Sequence, residues 1–380
     1  MQPKPTLKII LDGLVCVPSV TGQHDAAKKV IEVAASHAQA AGVAHIAVGE
    51  SGGYPYLLAT TRPANDDMLW FACHLDVVPG SDNLFSVRED DANYYGRGVF
   101  DMKGMVAGVL AALYRLPNIG DTNVGLLFTT DEEVGGKNGV GALVDDTFRG
   151  AGVIVFDQSF DWVLQERMKG VLWLRFTAKG KTAHGARPWL GKNANLALVD
   201  FLHEMQAWFE REMPHDHPDN YDTTYNLGTM QGGEATNQVP ATAQATADIR
   251  FVSEDDAAKV VQNARAIAKK HGVDVEEWMH EPCADTDLSS YWYKKTVELM
   301  AKLTIVPGPK GERFGHGSTD GRFFAPYGIP TITTRPPGGA QHSEAEWVSK
   351  EGLAQVEELA YHLILATTVD TRTMVLYTHR

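Results

Sequence analysis

Four short stretches of the chain are apolar at most successive positions: residues 68–73, 124–130, 151–156 and 329–333. A strand with one solvated face alternates, so near-continuous runs predict strands buried on both faces, as in a parallel sheet. Helical spacing appears over 5–36, broken at Pro18-Ser-Val-Thr-Gly22, and again over 105–116 and 349–368. Residues 46–50 and 56–60 read as strands around Ser51-Gly-Gly53, which predicts a hairpin. The pattern changes near Lys169. Residues 170–179 alternate, 193–209 and 254–271 are helical, and 221–230, 243–252 and 273–280 read as strands. This βαββαβ order predicts a ferredoxin-like α+β domain of common size. Buried-type patterns resume from about Ser289, so the domain is an insertion into an α/β domain. The expected boundaries are 1–168, 169–283 and 284–380.

The ends of the buried strands carry the chemistry. The first ends in His74-Leu-Asp76, the second in Asp131-Glu132-Glu133-Val-Gly-Gly136, the third in Asp157. Parallel strands align their carboxyl ends, where open α/β sheets place ligands, so these groups are expected to converge. A Gly-flanked turn, Gly96-Arg-Gly98, then delivers Asp101 to the start of a helix, and His342 follows the last apolar strand. His74 and Asp76, two apart, face the same side of a strand. That suits an imidazole that binds metal while a carboxylate behind it fixes the ring. A purely structural pair is the alternative, since buried polar groups normally find partners. Consecutive acids at 131–133 repel one another unless a positive charge is close. Two sequence matches mislead. Gly49-Glu-Ser51-Gly-Gly53 fits a nucleophile elbow, but a strand rather than a helix follows it. Gly96-x-Gly98 lacks the third glycine of a dinucleotide fingerprint, whose place Asp101 takes.

Composition narrows the partners. At 380 residues two domains are natural, and 44% apolar with 22% charged residues describes a soluble globular chain. The net charge of −14 argues against nucleic acid and anionic membranes as partners but not against a metal ion. Cys16, Cys73 and Cys283 form no C-x-x-C pair and read as free thiols of a reducing compartment. No stretch reaches the roughly 18 apolar residues of a spanning helix, and a cytoplasmic enzyme is expected. His74, Asp101, Glu132, Glu133, Asp157 and His342 form a mixed N/O set suited to zinc, cobalt or manganese. That exceeds one tetrahedral ion. Two ions sharing a carboxylate, roughly 3.5–4 Å apart, would use the set and leave one acid free to move protons.

Taken together, His74-x-Asp76, Gly96-Arg-Gly-x-x-Asp101-Met-Lys-Gly104, Asp131-Glu132-Glu133-x-Gly-Gly136, Asp157, and His342 followed by Glu346 resemble the dinuclear zinc M20 peptidases. That family includes acetylornithine deacetylase, succinyl-diaminopimelate desuccinylase, aminoacylase-1 and glutamate carboxypeptidase. The resemblance implies a zinc-peptidase-like catalytic domain with an inserted dimerisation domain. It implies two Zn2+, replaceable by Co2+ or Mn2+: His74 and Asp157 on one, Glu133 and His342 on the other, Asp101 bridging. It makes Glu132 the general base and Asp76 the residue that orients His74. The family often has Glu at Asp157, and either acid can ligate.

The insert is similar to the family as well. Gly180-Lys-Thr-Ala-His184-Gly-Ala-Arg-Pro188 resembles the segment whose histidine enters the partner subunit's site to stabilise an oxyanion. Gly232-Gly-Glu-Ala-Thr-Asn237 and Asp248-Ile-Arg250 resemble the segment that binds the substrate carboxylate, where an Arg fork fits; a strand-end ion pair is the alternative for Arg250. Gly315-His316-Gly317-Ser-Thr319-Asp320-Gly-Arg322 resembles the substrate-side loop, in a form that leans toward the desuccinylases. Thr334-Arg335-Pro-Pro-Gly-Gly339 departs from the shorter Gly-Pro turn usual there. His215-Asp216-His217 reads as a solvated loop rather than a metal pair. The implied activity is hydrolysis of an N-acyl amino acid amide by a homodimer. A dipeptidase or carboxypeptidase on the same site is the alternative. A catalytically silent homologue would have lost the base or a ligand, and this chain keeps both.

Overall fold

The computed structural model describes residues 4–215, 220–309 and 313–368. The chain falls into two compact units: Met1–Glu166 with Asp285–Gly315 and Thr319–Arg380, and Arg167–Ala284 with His316–Ser318. The first unit is built on a six-stranded sheet. Its order is His45–Ser51, Tyr54–Thr60, Val124–Thr129, Leu69–His74, Gly152–Val155, Thr331–Thr333. The last four strands run parallel, and the first two form an antiparallel hairpin with Ser51 opposite Tyr54. Ser51 therefore lies in a hairpin and not in a nucleophile elbow.

The near-continuous apolar runs have a simple cause. Leu69, Phe71 and Cys73 enter one core, while Met68, Trp70 and Ala72 enter another. Val124, Leu126 and Phe128 join the first core, and Leu127 joins the second. Successive side chains point to opposite faces, and both faces are covered. Helices Leu7–Val15, His24–Ala41, Lys103–Arg115, Tyr291–Lys302 and Lys350–Ala366 supply the first core. Each fully buried Leu or Phe there contributes about 1.5–3 kcal/mol. Lys103–Arg115 packs on Lys350–Ala366 closely enough that a Cβ on Gly108 would meet Val356 Cγ1 at 2.7 Å. The strand expected over 329–333 shortens to Thr331–Thr333, because Pro330 has no N–H to give a ladder.

The sequence pattern did not predict a small second sheet: Gly338–Gly339, Trp347–Ser349, Asn93–Tyr95 and Arg88–Glu89, in that order. Trp347 pairs with Tyr95 and Ser349 with Asn93. This ladder joins the chain just after His342 to the chain just before Asp101.

The second unit has the expected order. Strands Thr224–Gly232, Thr242–Phe251, Gly170–Lys179 and Val273–Glu281 lie side by side, all antiparallel. Leu172, Leu174, Phe176 and Ala178 join helices Ala194–Glu212 and Glu254–His271 in a separate core. Asn193 and Ser253 cap these helices, and Gly272 ends the second at φ 68°. On the sheet's other face Trp173 and Trp278 lie 5.1 Å apart, with Arg175 stacked on Trp278. No helix among the described residues is long and apolar enough to cross a membrane.

Candidate metal centre

His74 is the last residue of its strand, and Leu75 donates its N–H to Thr129 O of the neighbouring strand (2.8 Å). Pairing at that level sets His74 beside the turn that carries Glu132 and Glu133. Asp157 lies two residues past Gly152–Val155, and Gln158 N–H donates to its Oδ1 (2.7 Å). Two clusters result, His74/Asp101/Asp157 and Asp101/Glu133/His342, each with candidate ligand atoms within 4.8 Å of one another. Asp101 belongs to both. Its Oδ1 lies 3.1 Å from His74 Nε2, and its Oδ2 lies 3.3 Å from His342 Nε2. His342 Nε2 is also 3.0 Å from Glu133 Oε2. The first cluster is wholly buried; in the second, Glu133 is half-buried and His342 exposed.

The charges shift one another strongly. Burial alone would raise Asp101, but hydrogen bonds from His342 and His74 hold it well below the usual carboxylate range. His342 is pushed up to about 10 by Asp101 and then Glu133. Burial opposes a charge on His74, yet Asp101 and Asp76 raise it well above its ordinary value. Burial, then Asp101, raises Asp157 to about 6. Burial, then Asp157, Asp320 and Asp101, raises Glu132 well above a normal Glu, with His74 opposing. Glu132 belongs to neither cluster.

Asp76 is fully buried but meets His74 differently from the expectation. His74 Nδ1 is 3.0 Å from the Asp76 main-chain carbonyl and 3.5 Å from its carboxylate. The carboxylate instead sits beneath the next turn, accepting from Glu132 N (3.3 Å), Glu133 N (3.2 Å) and Thr21 Oγ1 (2.8 Å). The strand ends at His74, so the period-two argument does not carry past it. Asp131 is spent on structure, accepting from Asn138 N and Gly139 N.

Glu346 holds the Asp101 turn. One of its oxygens accepts the N–H groups of Gly98 (2.9 Å), Phe100 (3.0 Å) and Asp101 (3.1 Å), and the other pairs with Arg97 at 2.7 Å. Burial raises its pKa, while those donors favour the charge. Sequence reading noted Glu346 as a motif member and gave it no role.

Arg322 is buried, donating to Thr319 O and Gly135 O at 2.6 Å each and stacking on Phe323. Gly317 is half-buried in the 316–318 stretch, which groups with the second unit. Arg250 Nε lies 2.9 Å from Asp248 Oδ1, the ion pair weighed as its alternative. His184 and Asn237 are exposed and brought together: His184 bridges to Gln238, and Gly185 N–H donates to Asn237 O (2.6 Å). His215 lies 3.6 Å from Asp222, whereas Asp216 and His217 fall outside the described residues.

Residues 70–366 match the model of peptidase family M20/M25/M40. The chain belongs to that family. It is thus an enzyme of the peptidase and amidohydrolase kind. A succinyl-diaminopimelate desuccinylase of Ectopseudomonas mendocina is 28% identical over 80% of this chain and 84% of its own. A probable carboxypeptidase of Aspergillus terreus is 37% identical, but over 50% of this chain and 47% of its own, so the chain spans about half of that relative. In fold, the M20 metallo-carboxypeptidase Sso-CP2 of Sulfolobus solfataricus superposes with TM-score 0.76 at 18% identity, covering 95% of this chain and 98% of that one.

Imidazole and carboxylate donors in two clusters with one shared acid fit a pair of borderline-soft divalent ions. Glu346→Ala tests the framework behind them. Arg97 would be left buried and unpaired with three orphaned N–H groups, an expected loss of about 3–5 kcal/mol. Urea unfolding of the metal-free protein measures it; an unchanged midpoint denies Glu346 this role.

Proposed function

We propose that the chain hydrolyses the amide bond of an N-acyl amino acid, of the deacetylase or desuccinylase type, using two metal ions. Zn2+ is the preferred ion, with Co2+ or Mn2+ able to substitute, and the compartment is the cytoplasm. The observation that carries this reading is Asp101, which presents one oxygen to each of two imidazoles, each beside a further carboxylate. His74 and Asp157 would hold one ion, Glu133 and His342 the other, with Asp101 shared. When bound, such a pair polarises the amide carbonyl and acidifies a water.

The remaining chemistry belongs to the chain. Glu132 lies outside both clusters in surroundings that raise its proton affinity. A carboxylate so tuned can take a proton from water and give it to the leaving amine near neutral pH. Asp76 holds the main chain of Glu132 and Glu133 and, through its carbonyl, the His74 ring. Asn237, Arg250, Arg322 and Gly317 remain the proposed substrate contacts, with Arg322 acting through the Gly135 turn that it holds. His184 supplies an oxyanion donor to the partner of a homodimer. Its Nδ1 accepts the Ala186 N–H (3.1 Å), which leaves the ring proton on Nε2, pointing away as a donor. Leu227 and Met230 on the edge strand are 40% and 47% exposed, a surface that pairing with a second copy would cover.

The half-length likeness to a carboxypeptidase favours a second reading, a peptidase on the same site. Free-amine release by the metal-loaded protein from N-acetyl, N-succinyl and dipeptide panels separates them. The first reading expects acyl amino acids to lead, and dipeptides in the lead replace it with the second.

Glu132→Gln is expected to keep its metal by elemental analysis and lose on the order of 10²–10⁴ in kcat. Full activity removes Glu132 from proton transfer. His184→Ala is expected to lose on the order of 10²–10³ in kcat. Mixing inactive Glu132→Gln and His184→Ala subunits under verified exchange restores one working site per mixed dimer if His184 acts in trans. No return of activity excludes it.

A further inference from the structure

Arg335 is a cation with 1% exposure that the mechanism above does not use. Its guanidinium lies beside two stacked rings, 4.0 Å from the Phe100 centroid and 4.8 Å from that of Phe160. Nε donates to Ser159 O at 3.0 Å, and Nη2 donates to Gln341 Oε1. These contacts fix the fork so that Nη1 faces Asp157 Oδ1 at 3.6 Å, and Nη1 has no hydrogen-bond partner among the described residues. The approach is therefore electrostatic: a permanent charge held behind one ligand of one cluster. At the other cluster His342 Nε2 faces the carboxylates of Asp101 (3.3 Å) and Glu133 (3.0 Å).

A divalent ion at the His74/Asp157 position must share Asp157 with this guanidinium and bear its repulsion at low dielectric. An ion at the Glu133/His342 position meets neither cost on its own two ligands, and it enters beside the exposed His342. We propose that Arg335 makes the two metal positions unequal, so that the Glu133/His342 position fills first and the His74/Asp157 position fills later and more weakly. The inference rests on the two-metal reading above. Arg335 is a positioning residue in this account, acting on the ion through Asp157.

The test is a titration of the metal-free full-length protein with Co2+, followed by visible absorption and by competition with a chelator. Wild type is expected to bind two ions in two resolved steps. His342→Ala is expected to keep only the weaker step and Asp157→Ala only the tighter one. Arg335→Met is expected to tighten the second step by on the order of tenfold or more, the scale on which groups behind the ligands tune bound metals. Arg335→Lys keeps the charge and should restore the separation. Gln341→Ala removes a hydrogen bond but not the charge, and should leave two unequal steps.

Equal steps in wild type overturn the inference, as does the tighter step surviving in His342→Ala. Both results are read without altering Arg335, so they hold even if Arg335→Met fails to fold. An unchanged or weaker second step in Arg335→Met, or merged steps in Gln341→Ala, overturns it too. A wild-type chain that binds fewer than two ions overturns the two-metal reading itself, and this inference falls with it.

Discussion

Buried negative charge is the constraint under which the catalytic unit is built. Asp76, Asp101, Asp131, Asp157 and Glu346 are all less than a tenth exposed and crowd one edge of one sheet. Desolvating a carboxylate costs several kcal/mol unless donors replace the lost water. The chain answers in two ways. Asp76, Asp131 and Glu346 are surrounded by main-chain N–H groups, with Thr21 and Arg97 in addition. Asp101 and Glu133 instead face imidazoles, and Asp157 has one N–H and a guanidinium. The first group takes its donors chiefly from the backbone and holds turns in shape, although Asp131 Oδ1 has no hydrogen-bond partner among the described residues. The second has imidazoles, one N–H and a guanidinium for neighbours, a set of donors that a cation could join or replace.

The fold brings the second group together through two kinds of connection. Parallel pairing sets the level at which His74, the 131–133 turn and Asp157 emerge. The remaining two candidate ligands, Asp101 and His342, come from loops, and loops need separate fixing. Glu346 fixes the Asp101 turn from inside, and the ladder of Asn93–Tyr95 with Trp347–Ser349 ties that turn to the His342 loop. His342 itself sits at φ 62°, a conformation that non-glycine residues rarely adopt. Such strain persists where surrounding contacts over-determine it, as the Arg335–Gln341 and Glu346 contacts on either side do here.

What the sequence revealed follows from the range of the interactions involved. Strands buried on both faces write near-continuous apolar runs, so the sheet, its order of elements and the acid-bearing strand ends were readable. The insert was readable because its alternation and caps are local. The ladder at 93–95 and 347–349 was not, since strands of two or three residues have no periodicity and their partners lie far apart in the chain. The contact between the His74 ring and the Asp76 carbonyl was missed because the strand ends at His74, two residues earlier than the period-two argument assumed. Nothing in local spacing separates Glu132 from Glu133, or marks His184 as more than a loop histidine; family resemblance supplied those readings. Arg335 stood out only as a departure from the family's usual turn, because its partners Phe100, Asp157, Ser159 and Gln341 come together only in three dimensions.

The histidines show how main-chain contacts can assign opposite chemistry to one side chain. At His74 the Nδ1 partner is a carbonyl oxygen, an acceptor, so that nitrogen keeps its proton, and the ring, which also donates from Nε2 to Asp101 here, offers a lone pair at Nε2 once that second proton is given up. That is the tautomer a metal ligand needs, and Nε2 points at the shared Asp101. At His184 the Nδ1 partner is an N–H, a donor, so the proton moves to Nε2 and the ring offers a hydrogen there. That tautomer suits stabilisation of an oxyanion and cannot bind a cation through Nε2 without first losing the proton. The difference lies in the backbone, a carbonyl two residues on in one case and an N–H two residues on in the other. Composition and spacing treat these two imidazoles alike; the turn that each one occupies determines whether it can accept a metal or donate a proton.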